Sequence, residues 1–338
     1  MKTSELYDEA KAVEFYQERY SSGYGYMEEW PIEKKRRVFD VVRGLGLPDE
    51  GEALDFGCGT GVFTDVLKQA LPPGWKVYGT DISEAAIDHA RKRYPGCVFF
   101  LSHDREMIGK TFDFLFTHHV LEHVYDLPRA LDEVNDRLKK TAAMLHILPC
   151  GNEGSFEHDI CRLRRDGIDS RLENRFFFED VGHVRRLTSV RLSELCREKH
   201  FLLAGESYSN QYYGGIEWIT QSGSSFVRTL TDGVSAVSLG ARFRLKRLRY
   251  TLLALWQFRR IANAVEKRLG TTNKTFRNWI ALMLMAPLYV LAKPVDLYLK
   301  HKAQDEWNKR RDERNGSEMY LFFKRGHVKD SSLNPFDS

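Results

Sequence analysis

The apolar positions alternate between two spacings over the first two-thirds of the chain. Short runs of strand length recur: Ala53–Phe56, Val77–Thr80, CVFFLSHD, FDFLFT, AMLHILP and Phe201–Ser207. Between them apolar residues return at helical spacing, as at Val62, Phe63, Val66, Leu67, Ala70 and Leu71. Ser83 and Thr188 stand where N-caps belong, and further helices are expected over Glu84–Tyr94 and Leu127–Lys139. This alternation predicts an α/β protein with a doubly wound, mostly parallel sheet, which binds ligands beyond the carboxyl ends of its strands. A seventh strand, EMYLFFKRG, arrives roughly a hundred residues after the sixth, so residues 216–316 read as an insertion.

Charge and hydropathy set that insertion apart. From Ser225 to Asn315 there are 19 Lys and Arg against 7 Asp and Glu, a balance of +12 in a chain whose total is +4. A basic block is therefore attached to an acidic body. Within it, ARFRLKRLRYTLLALW places Leu245, Leu248, Leu252, Leu255 and Trp256 on one helical stripe beside Arg242, Lys246 and Arg249. That is the composition of an interfacial anchor. The apolar run Trp279–Ala292 follows, broken by Pro287 and stopped by Lys293 and Pro294. It is shorter than the ~20 residues a span needs. A single crossing would also separate two strands of one sheet, so surface contact or re-entry is expected over 241–299. Packing on the body, a homodimer interface and a nucleic-acid face are the alternatives. A continuous apolar surface disfavours the last.

Five scattered cysteines without a CxxC pair argue against a disulfide framework and a zinc site, and suit a reducing cytoplasm. The charged N-terminus has no apolar core of a leader.

The sharpest chemical signal is LDFGCGTG, a strand opening through Gly57, Cys58, Gly59 and Gly61 into a helix. Glycines let the backbone turn with positive φ and let a ligand approach the main chain, towards which the helix points free N–H groups. Asp81, ending the second strand in YGTDIS, suits a bond to ribose hydroxyls. This GxGxG turn, YGTDIS, the acid Asp104, FDFLFTHHVLEHVYD and LHILP resemble, in order, the class I S-adenosylmethionine-dependent methyltransferases. The Leu-Glu-His-Val turn is most similar to that of ubiquinone-pathway and sugar O-methyltransferases.

The resemblance implies a seven-stranded Rossmann-like core over 45–215 with its last strand at 317–326, a helical lid over 1–44 and a tail over 327–338. It implies that S-adenosylmethionine is held by Asp55, Gly57, Cys58, Gly59 and Gly61 at its methionine end, by Asp81 at the ribose, and by Ile82 and Asp104 at the adenine. His118 would line the pocket beside the sulfonium, and Tyr20 and Tyr24 are lid contacts. A hydroxyl acceptor needs a base, and histidine is the natural choice. His183, in a Gly-His-Val segment that edges the acceptor pocket in similar enzymes, is expected first and His119 second. His119, Glu122 and His123 carry metal-like spacing, but bracing of the turn is the simpler reading and no metal is expected. His158 and Asp159 are less specific candidates.

The expected function is O-methylation of an amphiphilic, membrane-held or lipid-linked small molecule by a cytoplasmic protein that is peripheral on an anionic membrane. A cofactor-binding assembly scaffold and an RNA methyltransferase are the competing readings.

Overall fold

The computed structural model describes residues 9–21, 30–271 and 275–326. Tyr24 and the tail expected after residue 326 lie outside them. Seven strands form one sheet: β1 Glu50–Phe56, β2 Gly74–Asp81, β3 Val98–Leu101, β4 Phe112–His118, β5 Leu138–Pro149, β6 Phe201–Ser209 and β7 Glu318–Arg325. Their order is β3-β2-β1-β4-β5-β7-β6. Only β7 runs antiparallel, pairing Glu318 with Pro149 on one side and with Ser209 on the other. Its reversed direction brings its first residue to the carboxyl ends of the parallel strands, where sheets of this kind bind ligands.

Helices α1 (Glu9–Ser21), α2 (Ile32–Arg43), α3 (Val62–Ala70), α4 (Glu84–Arg93), α5 (Leu127–Asp136), α6 (Phe156–Cys161) and α7 (Ser189–Glu198) surround the sheet. Side chains alternate across a strand, and β4 divides accordingly. Leu115 joins Leu131, Val134, Leu192 and Leu195 from α5 and α7. Phe114 and Phe116 join Val38, Val42, Phe63 and Leu67 from α2 and α3. Ser83 and Thr188 cap α4 and α7 as expected. The fifth strand starts at Leu138, five residues before AMLHILP, because Leu138 pairs with Phe112 at the start of β4.

The insertion is α8 (Tyr213–Gln221), α9 (Ser224–Leu230), α10 (Leu239–Leu269) and α11 (Phe276–Arg310). Two expectations are corrected here. First, the leucine stripe of α10 faces the protein. Leu245 and Leu252 are buried among Phe156, Ile216, Ile219, Val227 and Leu299, so the stripe is core and cannot also be an anchor. Second, the prolines do not end the apolar run. One helix passes through both Pro287 and Pro294. An interior proline costs about 3 kcal/mol. Packing offsets this where α11 lies antiparallel along α10. Leu282, Ala292 and Leu299 are buried, and Arg259 of α10 donates to the buried Asp296 at 3.1 Å.

The two ends of α11 differ. Towards its C-terminus Trp307 packs into the sheet's core with Tyr320, their ring centroids 5.4 Å apart. Glu306 accepts from the backbone N–H groups of Tyr212, Tyr213 and Gly214 at 2.9–3.0 Å and so holds the start of α8. Towards the hairpin tip Met283, Leu284, Val290 and Leu291 are 65–73% exposed. The helix is long and apolar enough to cross a membrane by length and composition.

Candidate active site

The cofactor cradle is built by one contiguous turn and its neighbour strand. Gly57, Gly59 and Gly61 have φ of 75°, 51° and 82°, which side-chain-bearing residues rarely adopt. Thr80 O accepts from both Gly57 N and Cys58 N at 2.8 Å, fixing the turn against β2. Asp81 accepts from Gly59 N and Ser83 N, each at 2.9 Å. Thr64 of α3 donates to Asp55 at 2.6 Å. Burial raises both carboxyls, Asp55 to about 7. Neither has an ion-pair partner among the described residues, so the cradle suits a ligand that brings positive charge. S-adenosylmethionine carries an ammonium and a sulfonium. A Cβ on Gly59 would come within 2.8 Å of the Tyr20 hydroxyl, so helix α1 lies directly against the turn. Gln17 fastens it there, accepting from the Ser83 hydroxyl at 3.1 Å and from Ala85 N at 3.3 Å.

The other expected cofactor residues fall around this turn in different ways. Cys58 turns its thiol inward among Ile87, Ala90 and Phe99, leaving only its backbone for the ligand. Ile82 is half-buried and stands outside the four core clusters. Asp104 accepts from Leu101 N at 2.8 Å and precedes a single 3-10 turn, so it shapes the end of β3. His118 is buried and stacked on Phe63, centroids 3.7 Å apart, with Nε2 lacking a hydrogen-bond partner. Burial keeps its ring neutral, well below the ordinary histidine range.

Beside the cradle lies a cavity of about 360 Å³. Trp30 is the shared wall: it lines the cavity and meets the rings of Phe63, His118 and His119 at 5.3, 4.8 and 5.5 Å. Both candidate bases reach the cavity. His119 sits at positive φ, its Nδ1 2.9 Å from Glu122 and its Nε2 3.0 Å from Glu318. Burial opposes its charged form, but Glu122 and Glu318 prevail and raise its pKa. Both ring nitrogens of His119 are thus held against carboxylates, whereas His183 has one so held.

His183 is arranged differently. Its Nδ1 lies 3.1 Å from Glu179 Oε1. Glu179 is buried; burial pushes its carboxyl up, but Arg186, which donates to it at 2.9 Å, brings it below the ordinary range. An ionised carboxylate only accepts, so Nδ1 of His183 is the donor to Glu179, and in the neutral tautomer this sets, Nε2 is the acceptor nitrogen. The loop bearing this dyad is pinned from two sides. Val184 N donates to Glu122 O at 2.9 Å, and Arg19 of the lid makes two 3.0 Å bonds to Asp180.

His123, Glu122 and His183 bring ligand atoms within metal-binding range of one another, as do His118, His119 and Glu318. From α6, which follows β5, the cavity takes Glu157 and not His158 or Asp159. Burial raises Glu157 to about 7.

Several cavity residues carried no clear sequence signal: Trp30 just before α2, Lys34 and Arg37 on it, Glu217 and Trp218 on α8, and Glu318. Lys34 is buried against Glu318 and Tyr320, and burial lowers its pKa to about 8. Glu318 had one readable signal, a charge opening the otherwise apolar strand EMYLFF.

The strand order and the glycine turn are those of the class I S-adenosylmethionine-dependent methyltransferase fold. The chain belongs to the methyltransferase domain family, whose profile matches residues 30–201. It is similar to a trans-aconitate 2-methyltransferase of Variovorax paradoxus, 39% identical over 70 residues, which cover 21% of this chain and 27% of that one. It also resembles the mitochondrial arginine-hydroxylase NDUFAF5 of Mus musculus, 34% identical over 106 residues, 30% of this chain and 29% of that one. The chain thus spans under a third of the length of these curated relatives. Among solved structures, a putative sarcosine dimethylglycine methyltransferase from Galdieria sulphuraria aligns with 94% of this chain and 98% of its own, at 9% identity and a TM-score of 0.44.

Proposed function

We propose that the protein methylates a hydroxyl on an amphiphilic small molecule presented at an anionic membrane surface, working as a peripheral protein on the cytoplasmic side. S-adenosylmethionine supplies an electrophilic methyl group. Trp30 and His118 pack between cradle and cavity and keep water from the path between them. His183 takes the acceptor's proton on Nε2 as the oxygen forms its bond to the methyl carbon and the carbon–sulfur bond breaks. Glu179 stabilises the resulting imidazolium and holds the ring's orientation, the role a carboxylate plays behind a catalytic histidine.

The observation that carries this reading is the composition of the cavity wall. The histidine dyad closes one part of it, and Trp218 and Phe226, from the helices at the root of the insertion, close another. The insertion that makes the acceptor wall therefore also bears the exposed apolar hairpin. Arg260, Lys267 and Arg277 lie near that tip, with Glu266 the acid among them. Basic residues around an apolar tip suit anionic headgroups, at about 1 kcal/mol each near the surface.

The test combines flotation on vesicles containing phosphatidylglycerol, at low and high salt, with transfer of labelled methyl from S-adenosylmethionine into membrane extracts. Salt-sensitive flotation and label in the lipid fraction are expected. Label confined to water-soluble products of a protein that does not float would overturn the membrane part of the reading.

A further inference from the structure

Three cations line the acceptor cavity from the core side: Lys34, Arg37 and Arg186. Two are fully engaged within the protein. Lys34 is bound to Glu318 and Tyr320. Arg186 donates to Cys150 O at 2.7 Å, to Glu179 at 2.9 Å, to Ser317 O at 2.8 Å and to Glu157 at 3.4 Å.

Arg37 differs from both. Its guanidinium carbon lies 4.8 Å from the centroid of Trp307, so the fork is stacked on a buried ring. Its Nε is buried without a hydrogen-bond partner, and no carboxylate is in ion-pair contact with it among the described residues. Glu33, one turn earlier on α2, is exposed, lines the same cavity and has no ion pair with Arg37 among the described residues. Glu217 is paired with Arg259 at 3.2 Å. A guanidinium held over a ring at the cavity wall, with no carboxylate paired to it among the described residues, is a ready receptor for a carboxylate or phosphate.

We propose that Arg37 is the specificity residue of this cavity and binds an oxyanion carried by the acceptor. The acceptor is then an anionic amphiphile, with a hydroxyl facing His183, a carboxylate or phosphate on Arg37 and an apolar part against Phe178, Trp218 and Phe226. This rests on the reading of the cavity as the acceptor site. Its test needs binding alone, so a failure of methyl transfer and a failure of anion recognition are separately visible.

The full-length protein, loaded with S-adenosylhomocysteine, is titrated calorimetrically with octyl phosphate, octanoate, octyl glucoside and inorganic phosphate. At least one of the two anionic octyl compounds is expected to bind ten-fold or more tightly than octyl glucoside, and inorganic phosphate far more weakly than octyl phosphate. Arg37→Gln should abolish the preference for charge and leave octyl glucoside and S-adenosylhomocysteine binding unchanged. Arg36→Gln, an exposed neighbour, should leave the preference intact. Arg37→Lys, which keeps charge and loses the stacked fork, should reduce it several-fold and serves if the glutamine variant does not fold. Glu33→Gln should strengthen anion binding. Equal affinity for charged and neutral octyl compounds, or a preference that survives in both Arg37 variants, would overturn the assignment. Inorganic phosphate bound as tightly as octyl phosphate would overturn it too, since the site would then hold a free ion and not an amphiphile.

Discussion

The cofactor cradle and the acceptor cavity lie side by side and are made in opposite ways. The cradle comes from Asp55 to Ser83, mostly backbone, set by glycine geometry and two buried carboxylates. The cavity comes from side chains spread between Trp30 and Glu318, on α2, the turns after β4 and β5, the 179–186 loop, the insertion and β7. A ligand site made of main chain tolerates little change in sequence. One made of distant side chains can be remodelled for another acceptor while the first is left alone.

The contrast can be broken hardest at His183. Replacing it by Gln should lower turnover by about 10²–10⁴-fold while S-adenosylmethionine binding stays the same; a parallel loss of cofactor binding would merge the two sites into one. His119→Gln should lower stability as well, since it removes the ring that Glu122 and Glu318 hold between them, which urea denaturation measures.

Asp55 sharpens the cradle's side of the comparison. Its folded pKa of about 7 lies above the 3.8 of an ordinary aspartate, so between those values the folded state holds the proton more tightly. Its contribution to stability therefore falls as pH rises from about 4 to about 7. In the cofactor-free protein Asp55→Asn should gain stability relative to the parent over that window, by at most on the order of 4 kcal/mol above pH 7. Urea denaturation at pH 5 and pH 8 measures the gain, which bound S-adenosylmethionine should reduce. A gain that is the same at both pH values would deny Asp55 its raised pKa.

Asp81→Ala removes the acceptor of two backbone N–H groups, that of Gly59 in the glycine turn and that of Ser83. It should weaken S-adenosylmethionine by about 10²-fold, from charge-assisted bonds of ~1.5–3 kcal/mol each, and leave vesicle flotation unchanged.

The hairpin gives the smallest effect and the cleanest separation. Leu284→Glu with Leu291→Glu should reduce flotation about ten-fold with stability within ~0.5 kcal/mol of the parent, as befits exposed positions. Leu252→Ala on the inward stripe should instead cost about 2–5 kcal/mol. Similar stability losses from both would mean that the tip is covered by protein.

What could be read from the sequence follows this division. The strands, the two helix caps and the glycine turn are local features, encoded within a few residues of where they act. The hydrophobic period of α10 located the right stripe, but a period does not say whether a stripe faces protein or lipid, and the core took it. Proline positions gave a broken helix because the partner that holds α11 together, α10, is recognised only in three dimensions. Trp30, Lys34 and Arg37 look like the approach and opening turns of an ordinary surface helix. Their place at the cavity depends on β7 carrying Glu318 back to the active edge of the sheet.

That returning strand has a consequence for how the molecule is made. β7 lies between β5 and β6, yet 108 residues separate it from the end of β6. At 5–20 residues per second, ribosomal synthesis leaves the sheet split there for about 5–20 s. Throughout that interval β5 presents an unpaired edge, the exposure through which nascent sheets join one another. The greasy hairpin is completed before the strand that closes the gap. Early capture of the hairpin by a membrane would hold each half-built sheet apart from its neighbours until Glu318 and the strand behind it arrive.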